Sequence, residues 1–377
     1  MVDARIWLFL VGLLSVSNAV AQIGPIASAP CNTLCQGVGD AAEGAGAAEQ
    51  RKFAACFSCR CKESLGWMPA PQDLKCSAGA PLARYRARTE PGGGERPLVT
   101  AIDTIDPEGT STEGCLNGGI AAAGCDLKSR WRRLINDTVE FQVLCRQPTH
   151  ESNGYYEYLI IGNNTRNGAT CFWQARSSIF DGETVPSLDV TDANHAPIPD
   201  AVERYASIFY LYSAGPSTCT SCHGGDAFIW SPYFHSAYPV PLSDSMVRTR
   251  LRGPYFKVSA ASERLQPVGH RALLAGPATG EPNAPSTPLA CTGCHRVADG
   301  SFCSSFSWQA LGHSDRAGTM SYDPATAFEH GRDLMFWMPP GGRTHQEWQT
   351  RSTADLSRIR ECCINGGHPA CRWSDPY

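Results

Sequence analysis

The sequence predicts an α+β chain, with a disulfide-rich N-terminal region that bears a small antiparallel sheet and a loop-rich C-terminal region with helix near its end. Three observations lead there. Cys31, Cys35, Cys56, Cys59, Cys61 and Cys76 crowd the front of the chain. Val139, Phe141, Val143 and Cys145 alternate with other residues at the period of a strand. Thr344 with Glu347, and Ser352 with Asp355, have the spacing of helix capping boxes.

The first element is a leader. Arg5 precedes an apolar run from Ile6 to Ser17, and Ala19-Val20-Ala21 stands before Gln22. A positive start, a short apolar core and an A-x-A site are the order of a secretory signal peptide, assigned to residues 1–21. The run is shorter than the about 20 apolar residues that span a bilayer. Nothing later is longer and equally apolar, so no membrane span is expected after signal cleavage. The chain holds 18 cysteines. Such a density suits an oxidising compartment, and the expectation is a periplasmic or secreted protein. The formal net charge of -4 gives no reason to expect nucleic acid as a partner.

Residues 22–212 form the expected Cys-rich region. Cys56-x-x-Cys59-x-Cys61 has ligand-like spacing, but no histidine occurs before His150, and disulfides are the preferred reading. From about 131 the pattern changes. Val139–Cys145, Tyr155–Ile161 and Thr170–Ala175 read as short strands, separated by turns such as Asn163-Asn164 and Asn167-Gly168. Residues 213–377 hold most of the histidines. One helix, or two short ones, is expected over His345–Glu361, with Cys362, Cys363 and Cys371 tying the tail back.

The chemistry lies in two C-x-x-C-H segments, Cys219-Thr220-Ser221-Cys222-His223 and Cys291-Thr292-Gly293-Cys294-His295. This is the attachment sequence of c-type haem. Two thiols separated by two residues match the two vinyl groups of the porphyrin, and the next histidine supplies the proximal ligand to iron. With this many Cys and His residues, roughly 0.02 chance occurrences are expected. Zinc bound by the two C-x-x-C pairs would need a far shorter gap between them and leaves both histidines idle. A redox C-x-x-C would sit in a thioredoxin-like unit.

The cofactor-binding set is therefore Cys219, Cys222, Cys291 and Cys294, and the metal ligands are His223, His295 and Met338. The cofactors are two covalently bound haem c groups with their iron. Met338 is chosen because it lies in Met335-Phe336-Trp337-Met338-Pro339-Pro340, where prolines stiffen a loop. Met335, Met320 and His330 compete with it. For the first haem His235, Met246 and His270 stay open as sixth ligands, as does none. Aromatic residues around the motifs, Phe228 and Trp230 among them, are read as walls that keep water from a large apolar group. Gly224-Gly225 would let backbone approach the porphyrin, and Asp226 would cap the following turn. No catalytic residue is singled out.

With these residues the chain resembles the dihaem c-type cytochromes, a likeness carried by the two motifs and the Met338-Pro339-Pro340 segment. The resemblance implies that residues 213–377 are a mainly helical and loop-rich dihaem cytochrome c region. It implies an exported electron carrier that docks transiently with redox proteins. The alternative is a dihaem enzyme, peroxidase- or oxygenase-like, with one open-coordinate haem. A binding or sensory module built on the Cys-rich half is a third reading.

Overall fold

A computed structural model describes residues 29–39, 46–81, 85–88, 98–101, 130–146, 155, 157–176, 181–209, 219–228, 253–268, 270–277, 286–288, 296–299, 303, 355, 358–364 and 368–374. The chain opens with α1 (Ala29–Leu34) and α2 (Ala47–Leu65). Strands β1 (Ala80–Pro81), β2 (Tyr85–Arg88), β3 (Leu98–Ala101), β4 (Arg130–Asn136), β5 (Val139–Arg146), β6 (Glu157–Asn164) and β7 (Ala169–Arg176) follow. Then come α3 (Pro199–Ile208), the single turn α4 (Cys219–Cys222), β8 (Phe256–Lys257), β9 (Gln266–Pro267), β10 (Leu273–Pro277), β11 (Ser286–Pro288) and β12 (Arg372–Trp373).

A seven-stranded sheet in the order β1-β4-β5-β6-β7-β8-β9 dominates, antiparallel throughout except for the parallel pair β7 and β8. Its hairpins are set by local chemistry. Between β4 and β5, Asp137 takes φ of 52°, a left-handed conformation that Asp tolerates. Between β6 and β7, the side chains of Asn164 and Asn167 accept from the backbone N–H groups of Arg166 and Ala169, at 2.9 Å each, and Gly168 has φ of 75°.

Helix α2 lies across one face of this sheet. Glu49 Oε2 accepts the Gly46 N–H at 3.0 Å at its start, and Gly66, with φ of 79°, ends it. Phe53, Phe57 and Leu65 are buried, and each contributes about 2 kcal/mol of apolar burial. Phe57 meets Trp173 edge-on at 5.9 Å, and Phe141 stacks on Trp173 at 5.9 Å. Gly162 lies under the crossing: a Cβ there would come within 2.9 Å of Leu65 and 2.7 Å of Phe141. Helix α3 packs alongside, with Trp173 Nε1 donating to Tyr205 Oη at 2.5 Å. All six front cysteines are in disulfides: Cys31–Cys59, Cys35–Cys56, Cys61–Cys171 and Cys76–Cys145. The disulfide reading of the Cys-rich cluster therefore holds.

The C-terminal half departs from expectation. A mainly helical cytochrome c region was expected over 213–377. The described residues there contribute β8 and β9 to the large sheet and form a three-stranded sheet β11-β10-β12. Their helix is confined to α4, to Cys303 and Asp355, and to 358–364, the last two falling in or overlapping the helix expected over His345–Glu361. Proline is one reason: Pro267, Pro277 and Pro288 leave at most ten residues between them, too few for a helix of three turns. Disulfides Cys303–Cys363 and Cys362–Cys371 close this half, so the described residues hold six disulfides in all. That number suits an oxidising compartment. No helix among the described residues is long and apolar enough to cross a membrane.

Candidate functional site

Successive strand residues face opposite ways. In β7, Cys171 and Trp173 turn toward α2, so Phe172 turns to the reverse face of the sheet. There it joins Ala227, Phe228, Tyr255 and Val268 in a second buried cluster, with Ile161 and Cys219 packed against it. The first C-x-x-C-H segment is thus seated on the side of the sheet away from α2.

Cys219–Cys222 form the turn α4, and the His223 N–H donates to the Cys219 carbonyl at 2.8 Å. The His223 ring lies 5.7 Å from the Phe172 ring. Tyr255 Oη donates to the His223 carbonyl at 2.5 Å and fixes the backbone below the ring. His223 retains some surface overall, but its Nδ1 is enclosed, and the backbone at Ala227 and Asp226 lies in hydrogen-bonding range of the ring. Burial pushes its pKa down to about 4, against the pull of Ala227 and Asp226. The imidazole is therefore neutral at physiological pH, which is the form that binds a metal. Asp226 caps the next turn as expected, accepting the Phe228 N–H at 3.1 Å.

The two glycines after His223 receive protein. A Cβ on Gly224 would lie 2.8 Å from His270 Cδ2 and 3.0 Å from the Thr220 carbonyl oxygen. A Cβ on Gly225 would collide with the carbonyl of Arg296, the residue that follows His295. The peptides that leave the two motifs therefore pack against one another. The second of them, 296–299, runs antiparallel to 270–273: the Leu273 N–H donates to the Val297 carbonyl at 2.8 Å, and the Asp299 N–H to that of Arg271 at 2.9 Å. Asp299 then takes His270 Nδ1 at 3.0 Å and Arg271 Nε at 2.9 Å. Arg271 and His270 hold the Asp299 carboxyl below its ordinary pKa, against the effect of burial, which is the largest single influence and acts upward.

Of the residues expected at the site, Cys219, Cys222, His223 and His270 lie in one region. Cys291, Cys294, His295 and Met338 fall outside the described residues, as do Met335, Met320, His330, His235 and Met246. Phe172, Tyr255, Arg296 and Asp299 were not anticipated. Only Phe172 carried a signal, as an aromatic on the outward phase of a strand. A cluster of Cys31, Cys59 and His195 has metal-like proximity, but the two sulfurs are bonded to each other and are not available as thiolates.

No protein family, no curated protein and no solved structure matches the chain. Together with the sheet-rich, disulfide-dense fold, this overturns the resemblance to the dihaem c-type cytochromes. That likeness rested on two five-residue motifs and a Met-Pro-Pro segment, and short motifs travel between unrelated folds.

Proposed function

We propose that the chain holds haem covalently at Cys219, Cys222 and His223 and again at Cys291, Cys294 and His295. It would act outside the cytoplasm, as an electron-transfer protein, on a scaffold of its own. The group would supply an iron centre that changes oxidation state by one electron. One observation carries the reading: His223, the last residue of a C-x-x-C-H sequence, closes the turn that begins at Cys219 and sets its ring against Phe172, beside a cluster that excludes water.

The surrounding residues have matching tasks. Phe172, Phe228 and Tyr255 exclude water from the ring of His223. Tyr255 holds the backbone at His223. The contact of Gly225 with Arg296 supports a short path between the two motifs. Disulfides on both sides of the site suit a periplasmic or secreted location, with redox proteins as transient partners.

The test is chemical. Protein from an oxidising compartment is denatured and extracted with acidic acetone, and the polypeptide is examined for a pyridine haemochrome. Colour that stays with the chain, at two haems per chain, is the expected result. A colourless polypeptide would refute the reading, and zinc found in its place would give the motifs to that metal.

A further inference from the structure

We propose that the Cys31–Cys59 disulfide and His195 form a redox-gated zinc site: once the disulfide is opened, the two sulfurs and the imidazole Nδ1 hold one zinc ion. The site lies where α1 meets α2 and owes nothing to the C-x-x-C-H segments.

Three observations carry it. First, the ligand atoms are already assembled. The two Sγ atoms and a ring nitrogen of His195 lie within 4.8 Å of one another, and Nδ1 is 3.8 Å from Cys59 Sγ. Zinc sits about 2.3 Å from each thiolate in a tetrahedral site, which sets two sulfurs roughly 3.8 Å apart. With the Cα atoms 5.7 Å apart, side-chain rotation can supply that separation. Two thiolates and an imidazole are donors that zinc favours. Glu63 Oε1 is 3.9 Å from the same nitrogen, at hand for the fourth position.

Second, the chain is built to hold His195 there. Its φ is 61°, a left-handed conformation uncommon for a residue with a Cβ. The loop that imposes it is closed by its own bonds. Asp192 Oδ1 accepts the N–H groups of Asn194 and Ala196 at 2.8 Å each, the Asp192 N–H donates to the Ala196 carbonyl at 2.9 Å, and Thr191 bridges Pro197. Lys62, beside Glu63 on α2, pairs with Asp189 at 2.8 Å and ties the root of the loop to the helix. A strained backbone persists only where its surroundings enforce it.

Third, the charges balance. Both cysteines are 0% exposed, so a bare pair of thiolates would be costly there. A disulfide carries no charge, and neither does a dithiolate with a divalent zinc ion. Cys35–Cys56 clamps α1 to α2 in both forms and keeps Cys31 beside Cys59 when their bond is broken. The His195 side chain is 26% exposed and gives the way in from solvent. Opening the site consumes a dithiol, which gives two electrons and two protons, closes to a disulfide and leaves Cys31 and Cys59 as thiols. The zinc ion then displaces the two thiol protons to solvent.

The experiment uses the full chain, oxidised and without denaturant. A phosphine serves as the reductant, because a dithiol would compete for zinc. Thiols are alkylated with and without zinc chloride and located by peptide mass mapping. With zinc present, Cys31 and Cys59 should be unlinked yet lose their reactivity toward the alkylating agent, and a chelator should restore it. A pair that stays linked until the fold is lost, or that alkylates at one rate with and without zinc, overturns the proposal. His195→Asn tests the imidazole, since Asn tolerates the same backbone and lacks the ring. With its disulfides mapped intact before reduction, this variant should bind zinc roughly tenfold or more weakly, read by competition with a coloured chelator. Unchanged affinity would overturn the site as stated.

Discussion

The carbonyl of Arg296 occupies the space that a side chain on Gly225 would need. The contact is backbone against backbone, so neither side can yield by changing a rotamer. Gly225→Ala is expected to cost about 1–3 kcal/mol, the range for overpacking a filled site. It should also loosen the peptide that carries Asp299. Gly39, where an added Cβ would meet no other atom within 4 Å beyond its chain neighbours, is the control, and Gly39→Ala should be close to neutral. Thermal unfolding of the two variants side by side checks this, and equal midpoints would contradict it.

How much of this was legible beforehand depended on whether a residue's neighbours are local. The β5 and β7 segments could be read because Val139, Phe141, Val143 and Cys145, and then Cys171, Trp173 and Ala175, face α2 in plain alternation. Strand β4 could not. Trp131 and Arg133 are buried on the face turned away from α2, and one of these positions is filled by a charge whose partner, Glu140, lies on the next strand. The C-x-x-C-H of the first site was visible because its spacing is set within five residues. Phe172, Tyr255 and Asp299 reach His223 and His270 only through the sheet and the pairing of 296–299 with 270–273. No spacing along the chain encodes that. The helical expectation failed because it was carried by motifs, while β8 and β10 are drawn into sheet by β7 and β12, strands far off in the chain.

The Arg133 and Glu140 pair gives the second prediction. Arg133 Nε and Nη2 donate to the two carboxylate oxygens at 2.8 and 3.0 Å, and Gln142 Nε2 adds a third bond at 2.8 Å. Their side chains are 3% and 0% exposed, so water cannot replace a lost partner. Arg133→Met leaves a carboxylate buried without its cation and should cost about 3–5 kcal/mol. Arg133→Met combined with Glu140→Met removes both charges and should cost clearly less than the single change. Urea unfolding of the two variants and wild type decides, and additive losses would show that the two residues do not act as a pair.

Cys61–Cys171 joins α2 to β7 across 110 residues of sequence. In the chain-entropy account a loop of that length is worth about 5 kcal/mol. Cys61→Ala with Cys171→Ala should lose that amount, and the core contact of Phe57 with Trp173 should loosen with it. Peptide mapping without reduction should recover the Cys61 and Cys171 peptides linked in wild type. Recovery of either cysteine with a different partner would mean the pairing is wrong.

Alkaline pH supplies the last test. Tyr158 is buried, donates to the Leu74 carbonyl at 2.7 Å and faces the charge of Glu183. Burial, then that charge, raise its pKa well above the ordinary phenol value. Tyr205 is raised by burial too, only partly offset by the hydrogen bond from Trp173. In the unfolded chain both ionise near pH 10, at about the reference value. A group whose folded pKa is the higher one gives stability that is complete below the unfolded value and falls away as pH rises through the folded one. The fold should therefore hold its stability up to about pH 10 and lose it progressively above. Tyr158→Phe should flatten that decline while lowering stability at neutral pH through the lost bond to Leu74. Tyrosinate absorbance followed together with near-ultraviolet circular dichroism provides the measurement. The hydroxyls of Tyr158 and Tyr205 should resist ionisation until tertiary structure goes, and their titration in the intact fold would show that these side chains are not enclosed as described.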